Sequence, residues 1–195
     1  PLWWGPTGGL VAGGAVARTG VSMLLDHEAR SWAQSNQSTT GGEIANAMKY
    51  FGTAVPLGVI VGSYIVGEYA DNVPAKRLAA DGLEASILSS LMVVYPMKFL
   101  LGRSRPSEER GSQSYNPFNI SGSMPSSHTA EAFTMAAVVA EHADNPWVSA
   151  LVYGLAAGVG VSRVYEDRHW ISDVVASAVI GTAIGKAVVA LNRQR

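Results

Sequence analysis

Three short polar clusters interrupt apolar segments and contain residues that could bind and attack an anion. The first begins at Lys98, at the end of an apolar segment, and continues through Arg103 and Arg105 to Pro106. Its cations could simply offset the C-terminal dipole of a helix. A lysine also supplies a point charge, and an arginine supplies a planar fork for two oxygens. The same residues could therefore clamp a phosphate group.

The second cluster, Pro125-Ser126-Ser127-His128, opens a strongly apolar segment. One interpretation is a serine N-cap followed by an exposed histidine. The other interpretation uses the same geometry, because the free N–H groups at a helix start bind anions and a serine hydroxyl adds a donor. In that case His128 would lie beside the bound phosphate.

The third cluster contains Ser162, Arg163, His169 and Asp173. His169 and Asp173 are four positions apart, so they share a helix face if the helix begins early enough. A carboxylate on one imidazole nitrogen would fix the tautomer and leave the other nitrogen free to attack. The alternatives are an acidic helix start near an incidental histidine, or a metal-binding pair. The neighbouring cations, including Arg163, disfavour a metal cation.

Helices must position these clusters, because alanine-rich segments with helical apolar spacing dominate and strand signals are weak. The length of 195 residues suits one domain, 1–195, folded as an all-α bundle of about six helices. The predicted helices are 7–32, 43–69, 75–101, 126–142, 146–162 and 171–191. We expect bends at Pro56 and Pro96. Residues 31–42 read as a loop, and 102–125 as a long loop of the functional kind.

Composition limits the classes of function. A net charge of −1 creates no field that would attract nucleic acid, and the absence of cysteine excludes disulfides and thiolate metal sites. Because mean hydropathy is only +0.16 and charges cut most apolar runs, we expect a compact helical protein that is soluble or membrane-associated. The alternative is a polytopic membrane protein, since periodicity alone does not separate buried helices from lipid-facing ones. Because the chain begins at Pro1 without a methionine, we also expect it to be processed or trimmed.

In this order the clusters resemble the signature of the type-2 phosphatidic acid phosphatase family. The matching patterns are Lys-x6-Arg-Pro at 98–106, Pro-Ser-x-His at 125–128 and Ser-Arg-x5-His-x3-Asp at 162–173. The same superfamily contains vanadium haloperoxidases and bacterial non-specific acid phosphatases. One position departs from the pattern, because Ser127 stands where the family usually has glycine. Serine keeps the backbone N–H but adds bulk, which affects the range of phosphates accepted.

The resemblance implies a metal-free phosphatase with a helical core. In this reading His169 attacks phosphorus and forms a phosphohistidine, Asp173 orients His169, and His128 protonates the leaving oxygen. The implied phosphate-binding residues are Lys98, Arg105, Ser126, Ser127 and Arg163. No cofactor is expected, and vanadate should inhibit as a mimic of pentacoordinate phosphorus.

For the substrate and the cellular location, the sequence indicates only a general class. Apolar helices rich in small residues favour a lipid phosphate, such as phosphatidate, phosphatidylglycerophosphate or an isoprenyl pyrophosphate. Low mean hydropathy favours the alternative of a soluble acid phosphatase that acts on many small phosphate esters. A vanadium haloperoxidase is a third possibility. We expect the protein in the cell envelope, either periplasmic or associated with the membrane, and without a nucleic-acid partner.

Overall fold

The structure, a computed structural model, describes Gly14 and residues 17–194 and is all-α over that part of the chain. Eight α-helices lie entirely within the described residues and are numbered here in chain order: α1 (Asp26–Ser35), α2 (Thr39–Met48), α3 (Ala54–Tyr69), α4 (Val73–Ile87), α5 (Tyr95–Leu101), α6 (Ser127–Ala143), α7 (Pro146–Tyr165) and α8 (Ile171–Asn192). Residues 17–23 are also helical. Because α2–α3 and α4–α5 form two continuous helical stretches, the predicted count of about six is close. The predicted fold class is therefore confirmed.

The predicted loop at 31–42 is wrong for most of its length. Helix α1 continues to Ser35 and α2 begins at Thr39, so only three residues separate them. The Ser38 hydroxyl caps α2 by accepting a hydrogen bond of 3.0 Å from the N–H of Gly41. The hydroxyl of Tyr165 accepts a 2.8 Å bond from the N–H of Ser38. A tertiary contact thus stabilises a segment whose composition is typical of a loop. Of the helix predicted at 7–32, residues 7–13, 15 and 16 lie outside the described part.

The two prolines act differently from each other. Pro56 lies in the first turn of α3, where its missing N–H costs no hydrogen bond, and the interruption comes earlier at the 3-10 turn Lys49–Gly52. The bend predicted at Pro56 is therefore displaced toward the N-terminus. Pro96 lies in the first turn of α5 and follows a π-helical segment at Leu88–Val94. The regular helix is thus interrupted next to Pro96, as expected.

Helix α6 runs through the middle of the bundle. Its Ala132 and Ala136 pack against Ala156 and Val159 of α7, and its Val138 packs with residues of α4 and α8. At Gly181 on α8 an added Cβ would lie 2.3 Å from the carbonyl oxygen of Ala130 on α6, so these backbones touch directly. The close approach holds the start of α6 beside the start of α8, where two of the three polar clusters lie.

Four helical stretches are long and apolar enough to cross a membrane: Thr39–Tyr69, Val73–Leu101, Pro146–Tyr165 and Ile171–Asn192. Large apolar side chains cover their outer surfaces, including Leu57, Tyr64, Leu91 and Leu151, all of which are more than half exposed. An apolar surface of this extent favours membrane association. The sequence alone left this point open.

Candidate active site

The three polar clusters meet at one cavity of about 350 Å³. Six of the eight predicted site residues line it: Lys98, Arg105, Ser127, His128, Arg163 and His169. Two further cations, Lys49 and Arg168, also line the cavity. The remaining two predicted residues, Ser126 and Asp173, are fully buried behind its wall. The arrangement suits an anionic ligand with several oxygens.

The end of α5 shapes the first cluster. Gly102 has φ +53° and ends α5, and an added Cβ there would lie 1.7 Å from the carbonyl oxygen of Asn116. Only glycine fits this turn, after which Arg105 follows in the loop. Nζ of Lys98 donates to the carbonyl oxygen of Gly122 at 2.8 Å, and Nε of Arg105 donates to that of Ser121 at 3.3 Å. The loop therefore fixes both cations at the cavity.

The start of α6 brings the second cluster to the cavity. Ser126 is the N-cap, and its hydroxyl accepts bonds from the N–H of Thr129 at 3.5 Å and from the hydroxyl of Thr129 at 3.0 Å. The structural interpretation of Ser126 therefore holds, and its role in the phosphate cradle stays a prediction. Ser127 and His128 follow in the first turn, where helix N–H groups point outward and favour an anion.

His169 precedes α8 rather than belonging to it. Because α8 begins at Ile171, the helical spacing of His169 and Asp173 does not explain their proximity. Asp173 instead caps the helix, with Oδ2 accepting the N–H of Trp170 at 2.9 Å. Nδ1 of His169 lies 3.6 Å from the same oxygen, beyond hydrogen-bond distance, and has no other partner among the described residues. Catalytic hydrogen bonds are often long before substrate binds.

A buried arginine links this histidine–carboxylate pair to α1. Nη1 of Arg103 lies 2.6 Å from Oδ1 of Asp173, and Nη2 lies 2.6 Å from Oδ2 of Asp26. All three side chains are fully buried. Ser172 joins the network, because its N–H donates to Oδ1 of Asp26 at 3.0 Å and its hydroxyl donates to Oδ2 at 2.9 Å.

Sequence reasoning noticed Arg103 as a neighbouring cation and missed Asp26 altogether. The Gly-Arg-Ser-Arg pattern at 102–105 is the signal that could have singled out Arg103. Asp26 carries no comparable signal, since it lies 77 positions before Arg103 in the chain.

The electrostatics of the cavity favour the neutral form of both histidines. Burial, together with the nearby charges of Arg163, His169 and Lys98, lowers the pKa of His128 to about 4. Burial also lowers the pKa of His169, against the opposing effect of Asp173. A neutral His169 is ready to act as a nucleophile. His128 can hold a proton only when a bound anion offsets the surrounding cations.

The described residues of this cavity provide few side chains that could bind a metal ion. No group of three His, Asp or Glu side chains placed to hold a metal ion occurs in residues 17–194 or at Gly14. The only carboxylate lining the cavity in that part of the chain is Glu166, which lies 3.1 Å from Nη2 of Arg163. The independence from metal stays a prediction.

Comparison with known proteins finds a matching family and a related enzyme. The model of the PAP2 superfamily matches residues 82–195, which contain all three clusters. A lipid A 1-phosphatase of Porphyromonas gingivalis is 32% identical over 113 residues. That alignment covers 57% of this chain and 23% of the relative, so the chain matches about a quarter of that protein's length.

Two solved structures share the fold. The crystal structure of Aquifex aeolicus LpxE has a TM-score of 0.66 at 22% identity, with 85% of this chain and 95% of that chain covered. The transmembrane PAP2 type phosphatidylglycerolphosphate phosphatase of Bacillus subtilis has a TM-score of 0.59 at 16% identity, covering 93% of this chain and 95% of the other. At these identities the similarity concerns the architecture alone.

Proposed function

The chain belongs to the PAP2 superfamily, and we propose that it is a phosphatase that hydrolyses lipid phosphates at a membrane through a phosphohistidine intermediate. The observation that carries the proposal is the single cavity in which Lys98, Arg105 and Arg163 surround the two histidines. Three fixed cations can bind and stabilise a phosphoryl group in transfer, a reaction that depends mostly on positioning and charge. The lipid A 1-phosphatase relative and the four apolar stretches support a lipid substrate.

The first step transfers the phosphoryl group to the enzyme. Because Nδ1 of His169 faces Asp173, its Nε2 is the atom that attacks phosphorus. The bond between phosphorus and the ester oxygen breaks as the nitrogen–phosphorus bond forms. His128 gives its proton to the departing oxygen, and the alcohol leaves.

The second step returns the enzyme to its starting state. His128, now neutral, takes a proton from a water molecule while the water oxygen attacks phosphorus. The nitrogen–phosphorus bond breaks, inorganic phosphate takes up the proton held by His128 and leaves, and both histidines are again neutral. Throughout both steps the three cations balance the charge on the phosphoryl oxygens.

Phosphate release by the purified protein in detergent tests this function. With excess chelator present, we expect release from phosphatidate to exceed release from p-nitrophenyl phosphate, and vanadate to inhibit both. His169→Ala and Arg163→Ala should each lower kcat at least about a hundredfold. Arg77→Ala, at an exposed position on α4 outside the cavity, is the matched control and should keep full activity.

Three results would count against the proposal. Full activity of either active-site variant would remove that residue from the mechanism. Loss of activity on chelation, restored by a divalent metal, would contradict the metal-free reaction. A preference for p-nitrophenyl phosphate that detergent and lipid do not change would favour a soluble, broad-specificity phosphatase.

A further inference from the structure

A second cavity, of about 330 Å³, adjoins the cation-lined one. The two cavities share Tyr95, Ser127 and His128 as lining residues. Apart from these shared residues, their chemistry differs. The second cavity has apolar walls between α3 and α4, and one polar region formed by Ser86, Ser90 and Glu131.

The polar region is a carboxylate held by two hydroxyls. The hydroxyl of Ser86 lies 2.5 Å from Oε1 of Glu131, and that of Ser90 lies 3.1 Å from Oε2. Each serine gives its only hydroxyl hydrogen to these bonds, while each carboxylate oxygen keeps a further lone pair. The region can therefore accept hydrogen bonds from a ligand.

The surroundings make this carboxylate unusual. It faces the apolar stretch Val73–Leu101, in which Ser90 belongs to the π-helical segment Leu88–Val94. Segments of this kind are frequent at functional sites. An ionisable group placed against a membrane-spanning stretch is costly, and such groups mark binding sites or pathways. The two serines position the Glu131 carboxylate, and the proposed reaction has no use for it.

The shared histidine indicates what occupies the second cavity. His128 protonates the leaving oxygen in the proposed reaction, so the alcohol must extend from phosphorus on the side of His128. Both cavities meet at that residue. Leu57 and Leu83, which border the second cavity, are 62% and 51% exposed, so a hydrocarbon chain can continue from there along the outer surface.

We propose that this cavity is the subsite for the leaving alcohol, and that Glu131 selects an alcohol with a free hydroxyl beside the ester oxygen. The inference rests on the proposed phosphatase function. The hydroxyl of the substrate donates to the Glu131 carboxylate, and its hydrocarbon lies along Leu57 and Leu83. A substrate without that hydroxyl cannot donate to the Glu131 carboxylate, so its complex with the enzyme lacks one charge-assisted hydrogen bond.

Two phosphate esters that differ only in the hydroxyl test the proposal: dodecyl phosphate and 2-hydroxydodecyl phosphate. We expect the wild-type protein to prefer the hydroxylated ester about tenfold in kcat/KM, as a hydrogen bond to a charged group allows. Glu131→Gln should reduce this preference to below about threefold. Glu141→Gln is the matched control, because Glu141 lies on the same helix and pairs with Lys186 outside both cavities.

Inorganic phosphate separates the two cavities. As a competitive inhibitor it occupies only the cation-lined cavity, so its inhibition constant should be the same in wild type and Glu131→Gln. If thermal melting shows that Glu131→Gln does not fold, Leu83→Trp replaces it, since Leu83 is exposed and a larger side chain fills the second cavity. That variant should hydrolyse 2-hydroxydodecyl phosphate at least about tenfold more slowly, with the inhibition constant of phosphate unchanged.

The possible failures are distinguishable. Equal rates on both esters in the wild-type protein, or a preference that survives Glu131→Gln, would overturn the subsite and leave the phosphatase function standing. An unchanged rate in Leu83→Trp would do the same. Hydrolysis of neither ester by the wild-type protein would instead count against the proposed function.

Discussion

His128 must carry a proton in the proposed reaction, yet burial and the surrounding cations hold its pKa at about 4 in the empty site. His169 is also neutral at pH 7, because burial lowers its pKa as well. Neither histidine of the free enzyme therefore holds a proton for the leaving oxygen. The substrate must therefore bring the proton, which means that it binds as the monoanion of the phosphate ester.

The pH dependence of kcat/KM follows from this proton balance. We expect kcat/KM to fall as pH rises through the second pKa of the substrate phosphate, roughly 6, because the monoanion is lost there. On the acid side, activity should persist below pH 6.5, since protonation of His169 requires a pH below its lowered pKa. Steady-state rates from about pH 4 to 9 measure both limbs.

A pair of substrates with different second pKa values provides the control. The alkaline limb should move with the pKa of the substrate. A limb fixed at one pH for both substrates would mean that the enzyme, rather than the substrate, carries the proton.

The buried network of Asp26, Arg103 and Asp173 next to His169 carries a net negative charge. Two carboxylates, Asp26 and Asp173, share the single guanidinium of Arg103, which leaves one negative charge buried beside the imidazole. Phosphorylation of His169 makes the ring cationic, so this charge stabilises the intermediate. Asp26 is a positioning residue in this sense, because it acts on the histidine only through Arg103 and Asp173.

Asp26→Asn tests that effect. We expect kcat to fall about tenfold while the protein stays folded, because asparagine can still accept the N–H of Ser172. The acid limb of kcat/KM should also move to lower pH, since less negative charge near His169 lowers its pKa. The other charged or titratable groups near that imidazole are Asp173, Lys98, Arg105 and His128.

The matched control is Asp81→Asn. Asp81 is a buried carboxylate bonded to His142 and Asn192, away from the cavity. Its replacement should affect stability alone. If Asp26→Asn behaves like Asp81→Asn, with an unmoved pH profile, the role of Asp26 is structural only.

Among the helices, the contact between α6 and α8 decides the geometry of the site. Helix α6 presents Ser127 and His128 at its start, and Asp173 lies in the first turn of α8. The N–H of Ser126 donates to the hydroxyl of Ser177 on α8 at 2.6 Å, which fixes the two starts relative to each other. Further along, the direct backbone contact at Gly181 allows no side chain between them.

Gly181→Ala should therefore destabilise the protein by about 1–3 kcal/mol, because the new methyl group would overlap the carbonyl of Ala130. Gly154→Ala on α7 is the control. Gly154 is exposed, nothing lies within 4 Å of an added Cβ, and alanine favours the helix, so its stability should be unchanged or slightly higher. Thermal melting in detergent measures both. An equal melting temperature for Gly181→Ala and wild type would show that the helices can separate at no cost.

The whole molecule combines a polar, cation-lined cavity with an apolar exterior. Seven of the large exposed apolar side chains belong to α3: Val55, Leu57, Val61, Tyr64, Ile65, Val66 and Tyr69. Only two residues of that helix, Pro56 and Gly67, are buried. In water such a helix would expose far more apolar surface than a soluble protein normally does. A lipid environment accounts for it.

Fractionation of cells that express the protein tests the membrane association. The protein should stay with the membranes through washes with high salt and alkaline carbonate, and detergent should release it, because apolar helices rather than surface charges hold it there. A peripheral protein of the same membranes, released by carbonate, is the control. Release of this protein by carbonate would contradict spanning helices.

Helix positions in the second half of the chain could be predicted closely, because local signals mark them. Ser126 and Asn145 cap α6 and α7, and both helices begin within one residue of the prediction. A break between α1 and α2 was predicted, but its short length of three residues could not be, since the contact with Tyr165 that supports it is tertiary. The meeting of three motifs at one cavity followed from the family resemblance. The pairing of Arg103 with Asp26 joins distant parts of the chain, and no local pattern encodes it.

The position of Asp26 shows that the family-matched segment and the segment needed for folding begin at different residues. The family-matched segment begins at residue 82, whereas the carboxylate that shares Arg103 comes from α1. A fragment that begins at residue 82 would keep every signature residue. It would leave the buried guanidinium of Arg103 with one carboxylate, that of Asp173, and the N–H of Ser172 without an acceptor. Uncompensated groups of this kind are strongly destabilising. The segment that carries the family signature is therefore shorter than the segment that must be present for the site to fold.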